Sequence, residues 1–144
     1  MSKTKILLVL SDSKFRDELI HQLEQNGFEA ISVSDGFPAI EMVRRIKFKA
    51  VITQTELPSL DVLELILNLR DFDKIVPVIV LTQTEFVMKR EIIQAGADVI
   101  EKFPITANLI LKFIRQFELN QKKSRHSAAF SEYYQFDQNE FKIG

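Results

Sequence analysis

The residue types able to do chemistry in this chain gather behind four apolar runs, at Leu10–Asp12, Thr53–Glu56, Thr82–Gln83 and Lys102–Pro104. They supply hydroxyls from Ser11, Thr53, Thr55 and Thr82, carboxylates from Asp12 and Glu56, and one carboxamide, Gln54. A hydroxyl attacks only when a neighbouring base takes its proton, and no such base is visible beside these. Mg²⁺ surrenders water reluctantly and wants carboxylates or phosphates in exchange. Asp12 and Glu56 therefore read as two solvated loop acids rather than as a residual metal site. Gln54 is neutral and offers no carboxylate oxygen as a nucleophile. Its amide must be paired if buried, either with Thr82 in a fixed arrangement or with neighbouring backbone. His21, beside Gln22 with nothing arranged around it, and His126, in a basic stretch, read as surface residues. Cysteine is absent, which removes disulfides, thiolate metal sites and cysteine nucleophiles together. No catalytic constellation is expected, and no cofactor or metal; the chain does not read as an enzyme.

These residues need a frame, and the hydrophobic pattern supplies it. Continuous Ile/Val/Leu-rich runs at Lys5–Leu10, Phe28–Val33, Ala50–Thr53, Val76–Thr82 and Asp98–Lys102 predict strands buried on both faces. Segments of helical spacing lie between them. Phe15, Leu19, Ile20 and Leu23 share one face and stop at Asn26-Gly27. Ile40, Met42, Val43 and Ile46 follow Asp35-Gly36, and Leu60, Leu63, Leu65, Ile66, Leu67 and Leu69 follow Pro58-Ser59. Val87, Met88 and Ile92 close at Ala95-Gly96, and Leu109, Ile110, Phe113, Ile114 and Phe117 open behind Pro104 and Thr106. Strands alternating with helices in this way predict an α/β fold, a doubly wound five-stranded parallel sheet with right-handed crossovers. Sites in such folds lie at the carboxyl ends of the strands, where the polar clusters fall.

Length and composition set the outer bounds. The 144 residues, 46% apolar and 27% charged, suit one globular domain with a core of its own. A net charge of −1 gives no reason to expect nucleic acid or an anionic membrane as partner. The apolar run behind Met-Ser-Lys-Thr-Lys is too short for a signal h-region or a membrane span, and a reducing cytoplasm fits best. We read residues 1–120 as the domain and residues 121–144 as a basic linker and an aromatic C-terminal extension. Lys122, Lys123 and Arg125 mark the linker, read as solvated; Phe130, Tyr133, Tyr134 and Phe136, with Phe141 further on, mark the extension.

Six separated pieces fall in an order that resembles the receiver domain of two-component response regulators, over Lys5 to about Phe117. They are Lys5-Ile-Leu-Leu-Val9, Ser34-Asp-Gly36, Leu57-Pro58, Leu60-Asp61, Val78-Ile-Val-Leu-Thr82 and Ala95-Gly-Ala-Asp98 leading to Pro104. The resemblance implies a flavodoxin-like, receiver-type (βα)5 fold. It also implies a site in which an aspartate takes up a phosphoryl group, helped by a divalent cation on an acidic pair, a lysine and a hydroxyl. Carried over residue by residue, the acidic pair falls on Leu10 and Ser11, the nucleophile on Gln54 and the lysine on Phe103. The aromatic residue that swings inward on activation falls on Ile100. Only Thr82 keeps its expected type. The resemblance thus implies a degenerate, pseudo-receiver site. It also implies a cis bond between Phe103 and Pro104.

Two functions from different classes follow as expectations. The leading one is a phosphorylation-independent signalling adaptor in a bacterial signalling or motility-type system. It would bind protein partners or a second copy through the fourth helix, fifth strand and fifth helix, with Met88, Lys89, Glu91, Lys102 and Phe103 on that face. The extension, with Phe130, Tyr133, Tyr134 and Phe136, offers a second docking element. The other is a ligand-responsive switch holding a small molecule among Leu10, Ser11, Gln54, Thr82 and Phe103. Phe103 itself is either an exposed anchor or an inward plug of the altered pocket, and the plug is preferred.

Overall fold

The computed structural model describes residues 3–84, 88–103 and 105–126, the last six of them by backbone alone. Val87, Pro104 and the Phe103–Pro104 bond, and the aromatic positions Phe130, Tyr133, Tyr134, Phe136 and Phe141, lie outside the described residues. Strands β1 (Thr4–Val9), β2 (Phe28–Val33), β3 (Ala50–Gln54), β4 (Val78–Thr82) and β5 (Val99–Lys102) alternate with helices. These are α1 (Ser13–Gln25), α2 (Gly36–Arg45), α3 (Val62–Phe72), α4 (Lys89–Ala95) and α5 (Ala107–His126). The strands form one sheet in the order β2-β1-β3-β4-β5, and every pairing is parallel.

The runs in β1, β3 and β4 are buried because both faces of the sheet are covered there. The edge strands β2 and β5, expected to be buried likewise, are only part-buried and carry Glu29, Ser32, Glu101 and Lys102. Successive side chains of a strand point to opposite faces, and each face has its own core. Leu7, Val9, Val51, Val78 and Val80 pack with Ala39, Val43, Leu65, Ile66, Leu69 and Ile92 under α2, α3 and α4. Ile6, Leu8, Leu10, Ile52, Ile79 and Leu81 pack with Leu19, Leu23, Ile110, Leu111 and Ile114 under α1 and α5. Full burial of one such Leu or Ile side chain contributes roughly 1.5–3 kcal/mol.

Three aspartates start the helices that follow the first three strands. Asp12 Oδ1 accepts from Phe15 N at 2.9 Å, Asp35 Oδ1 from Gly36 N at 2.7 Å and Asp61 Oδ1 from Leu63 N at 2.6 Å. Each satisfies a backbone donor that has no partner within its helix. Gly96, at φ 129°, ends α4 in a conformation that favours glycine.

The structure corrects several boundaries. Leu60 precedes α3, which Asp61 caps, yet stays buried because it packs where a Cβ on Gly36 would sit, 2.8 Å away. Leu67, expected in the core, is 54% exposed, since α3 already seats Leu65, Ile66 and Leu69 inward. Met88 caps the short α4 from outside and is likewise exposed. β4 starts at Val78 rather than Val76, whose N–H bonds Asp73 Oδ1 at 2.9 Å. Residues 122–126, read as a linker, continue α5 instead. Among the described residues no helix is long and apolar enough to cross a membrane.

Candidate functional site

The carboxyl ends of β1, β3, β4 and β5 bring the predicted positions to one edge. Strand register puts Val9 beside Thr53, Gln54 beside Leu81 and Thr82 beside Lys102. Ser11, Gln54, Thr55, Glu56, Gln83 and Phe103 line an open cavity of about 180 Å³ there.

Gln54, at the last position of β3, binds the loop after β1. Its Oε1 accepts from Ser11 N at 2.9 Å, and its Nε2 donates to Ser11 Oγ at 2.7 Å and to the Glu56 carbonyl oxygen. The carboxamide is therefore engaged at both ends. Of the two pairings open from sequence, the one with Thr82 is not formed; backbone of the loops after β1 and β3 takes part, and the Ser11 hydroxyl, 43 residues away, joins it. Thr82 does not take part. It is 3% exposed, and its Oγ1 donates to Thr84 O at 2.9 Å while accepting from Thr84 N at 3.2 Å.

Leu10 is fully buried and belongs to the core under α1 and α5. Its N–H donates to Val33 O at 3.1 Å. Leu10 and Thr82 thus sit behind the cavity rather than in it, which corrects the pocket expected from sequence. Thr55, Glu56 and Gln83 line it in their place. Ile100 is half-buried against the core under α2–α4.

Phe103 follows β5 and is held by its backbone, with N–H to Thr82 O at 2.8 Å. Its ring meets Phe15 of α1 edge to face, centroids 4.9 Å apart at 81°. That geometry suits two aromatic quadrupoles, and it turns the ring inward as a wall of the cavity. Phe103 therefore leaves the outward face on which Met88, Lys89, Glu91 and Lys102 are exposed.

Sequence reasoning missed how Asp35 ties this edge together. Besides capping α2, its Oδ1 accepts from Ser59 N at 3.2 Å, in the loop that leaves β3. Burial pushes the Asp35 carboxyl up, but bonds from Gly36 N–H and from the Ser59 hydroxyl and N–H outweigh it. They hold the group below the ordinary carboxylate range. The signal was present in Ser34-Asp-Gly36, but its partner Ser59 is distant in sequence.

A hard dication needs oxygen ligands, carboxylates above all. Here Asp12 Oδ1 is spent on capping α1, and Ser11 Oγ and the Glu56 carbonyl both receive a proton donor from Gln54. Among the described residues no three of His, Cys, Asp and Glu come together to hold a metal ion. The donor set does not fit Mg²⁺.

Comparison with known proteins extends this picture. The response regulator MprA of Mycobacterium leprae (strain TN) is 34% identical over 112 residues, which are 77% of this chain and 49% of that protein. The chain thus spans about half the length of that relative. A CheY-like response regulator receiver domain protein from Methanospirillum hungatei JF-1 superposes with a TM-score of 0.77 at 20% identity, covering 85% of this chain and 99% of that one. The receiver domain of a Pseudomonas aeruginosa PAO1 sensor histidine kinase, with a magnesium ion coordinated in its active site cleft, superposes at 0.72 and 24% identity. It covers 81% of this chain and 98% of that one. Residues 6–115 match the response regulator receiver domain family, and to that family this chain belongs.

Proposed function

We propose that this chain is a receiver-fold interaction module that signals without phosphoryl transfer, a pseudo-receiver. The observation that carries this reading is the bonding of Gln54. Where the family resemblance puts a nucleophilic carboxylate stands an amide whose oxygen and nitrogen are both engaged with Ser11 and Glu56. Leu10, at an acidic position by the same resemblance, is buried in the core, and Phe103, at the lysine, is packed on Phe15. Nucleophile, cation ligands and counter-charge are replaced together, while the core of the fold is intact. What remains for the domain is a fixed surface. The face formed by α4, β5 and α5, with Met88, Lys89, Glu91 and Lys102 exposed, is the one we assign to protein partners or a second copy.

The cavity supports the second reading, a small-molecule switch, less well. The amide at its centre, Gln54, is already engaged with Ser11 and Glu56 rather than turned to a ligand. The test is incubation of the whole chain with acetyl phosphate and Mg²⁺, followed by intact mass measurement. No acyl phosphate is expected; stoichiometric phosphorylation would overturn the proposal. The surface assignment is checked by lysate capture with Lys89→Ala/Lys102→Ala beside the unaltered chain, and equal retention of all partners would move recognition elsewhere.

A further inference from the structure

We infer that the Gln54 carboxamide takes the part of the divalent cation, an uncharged cross-link that holds the loops after β1 and β3 in one geometry at any metal concentration. A cation bound at this edge would join oxygens of the two loops, and the oxygens facing each other there are Ser11 Oγ and the Glu56 carbonyl. Gln54 Nε2 donates one proton to each. An NH₂ group has two donors and no acceptor to offer, so the bridge is complete with those two bonds. The same side chain secures the loop a second time, because Oε1 accepts the Ser11 N–H at 2.9 Å. A cation in that place would meet the donor hydrogens of the amide rather than lone pairs. The lack of fit to Mg²⁺ is therefore a substitution of one bridge by another, with Gln54 as a positioning residue.

This inference deepens the reading of the site as chemically closed and rests on it, yet its test uses neither phosphorylation nor partner capture, so the two can fail separately. Gln54→Glu keeps size and the acceptor for Ser11 N–H but replaces the NH₂ by an oxygen facing the Glu56 carbonyl. Gln54→Met keeps size and removes every hydrogen bond. Thermal unfolding of the whole chain in EDTA and in millimolar Mg²⁺ is the measurement. The unaltered chain should melt at one temperature in both. Gln54→Glu should lose about 3–8 °C in EDTA and regain at least half of that with saturable dependence on Mg²⁺. Gln54→Met should lose stability without any response to Mg²⁺. A saturable rise of Tm in the unaltered chain, or a Gln54→Glu variant indifferent to Mg²⁺, overturns the inference. If the Glu variant does not fold, the NH₂ resonances of Gln54 in the unaltered chain decide. Both protons should exchange slowly and stay unmoved by Mg²⁺, whereas fast exchange or a saturable shift overturns the assignment.

Discussion

The two edges of the sheet are tied together by different groups. At the carboxyl edge the contacts across strands are made by an amide and a hydroxyl, Gln54 and Ser11, with Leu10 and Phe103 packed behind and beside them. At the opposite edge a guanidinium does the joining. Arg70 donates to Gly96 O at 2.6 Å, to Val76 O at 2.8 Å and to Asp73 O at 3.2 Å, and meets Asp98 Oδ2 at 3.2 Å. Asp98 Oδ2 in turn accepts from Val78 N at 2.8 Å, at the start of β4. Charge persists where it secures the turns around β4 and β5. At the carboxyl edge the Gln54–Ser11 contact is neutral, and the carboxylate there, Asp35, meets backbone donors and a hydroxyl rather than a cation. On the proposed reading, the bridging that charged groups would perform at the carboxyl edge falls to the Gln54 carboxamide and the Ser11 hydroxyl.

The sharpest way to break this contrast is to bury a charge beside the neutral Gln54–Ser11 contact. Leu10→Asp buries a carboxylate with no cation beside it, and should cost on the order of 4 kcal/mol in urea unfolding. A loss below about 1 kcal/mol would mean that this edge still accommodates an acid. Removing charge from the other edge comes next. Arg70→Ala removes the donors to the Gly96, Val76 and Asp73 carbonyl oxygens and one of the partners of Asp98, for an expected loss of about 2–3 kcal/mol. Arg70→Lys should recover only part of it, because an ammonium cannot span the guanidinium's planar fork. If lysine restores full stability, the fan of bonds is incidental and the contrast weakens.

The smallest effect sharpens the picture through pH. The Asp35 carboxyl is held below its ordinary range by the Gly36 and Ser59 donors. A depressed folded pKa means stability that is present above the unfolded carboxylate value, about pH 4, and lost as pH falls through the folded value. Asp35→Asn should therefore unfold with a shallower loss of Tm between pH 5 and pH 2 than the unaltered chain. Parallel pH curves would show that Asp35 carries no proton linkage.

The order of strands and helices was legible because the central strands are largely continuous apolar runs and several helices open or close on a residue with a mechanism. Asp35-Gly36, Asn26-Gly27 and Ala95-Gly96 all stand where the structure uses them. What escaped the sequence was pairing between distant residues. Gln54 could be seen as an amide needing partners, yet nothing local pointed to Ser11, 43 residues away. Thr82 looked like its natural companion but is closed off by Thr84. The Arg70–Asp98 contact joins the last turn of α3 to the residue before β5, and neither residue advertises the other. Leu67 failed for a related reason: a helix of many leucines has more apolar residues than its inner face can seat.

The alternation of side chains across the sheet has a last consequence. Neighbouring residues of one strand serve separate cores, so Leu7 and Leu8 answer to different helices. The α1/α5 layer and the α2–α4 layer communicate through backbone alone wherever the strands lie between them. Two exterior surfaces can then drift in sequence independently, each repacking its own interior, while the pleated sheet stays the common chassis.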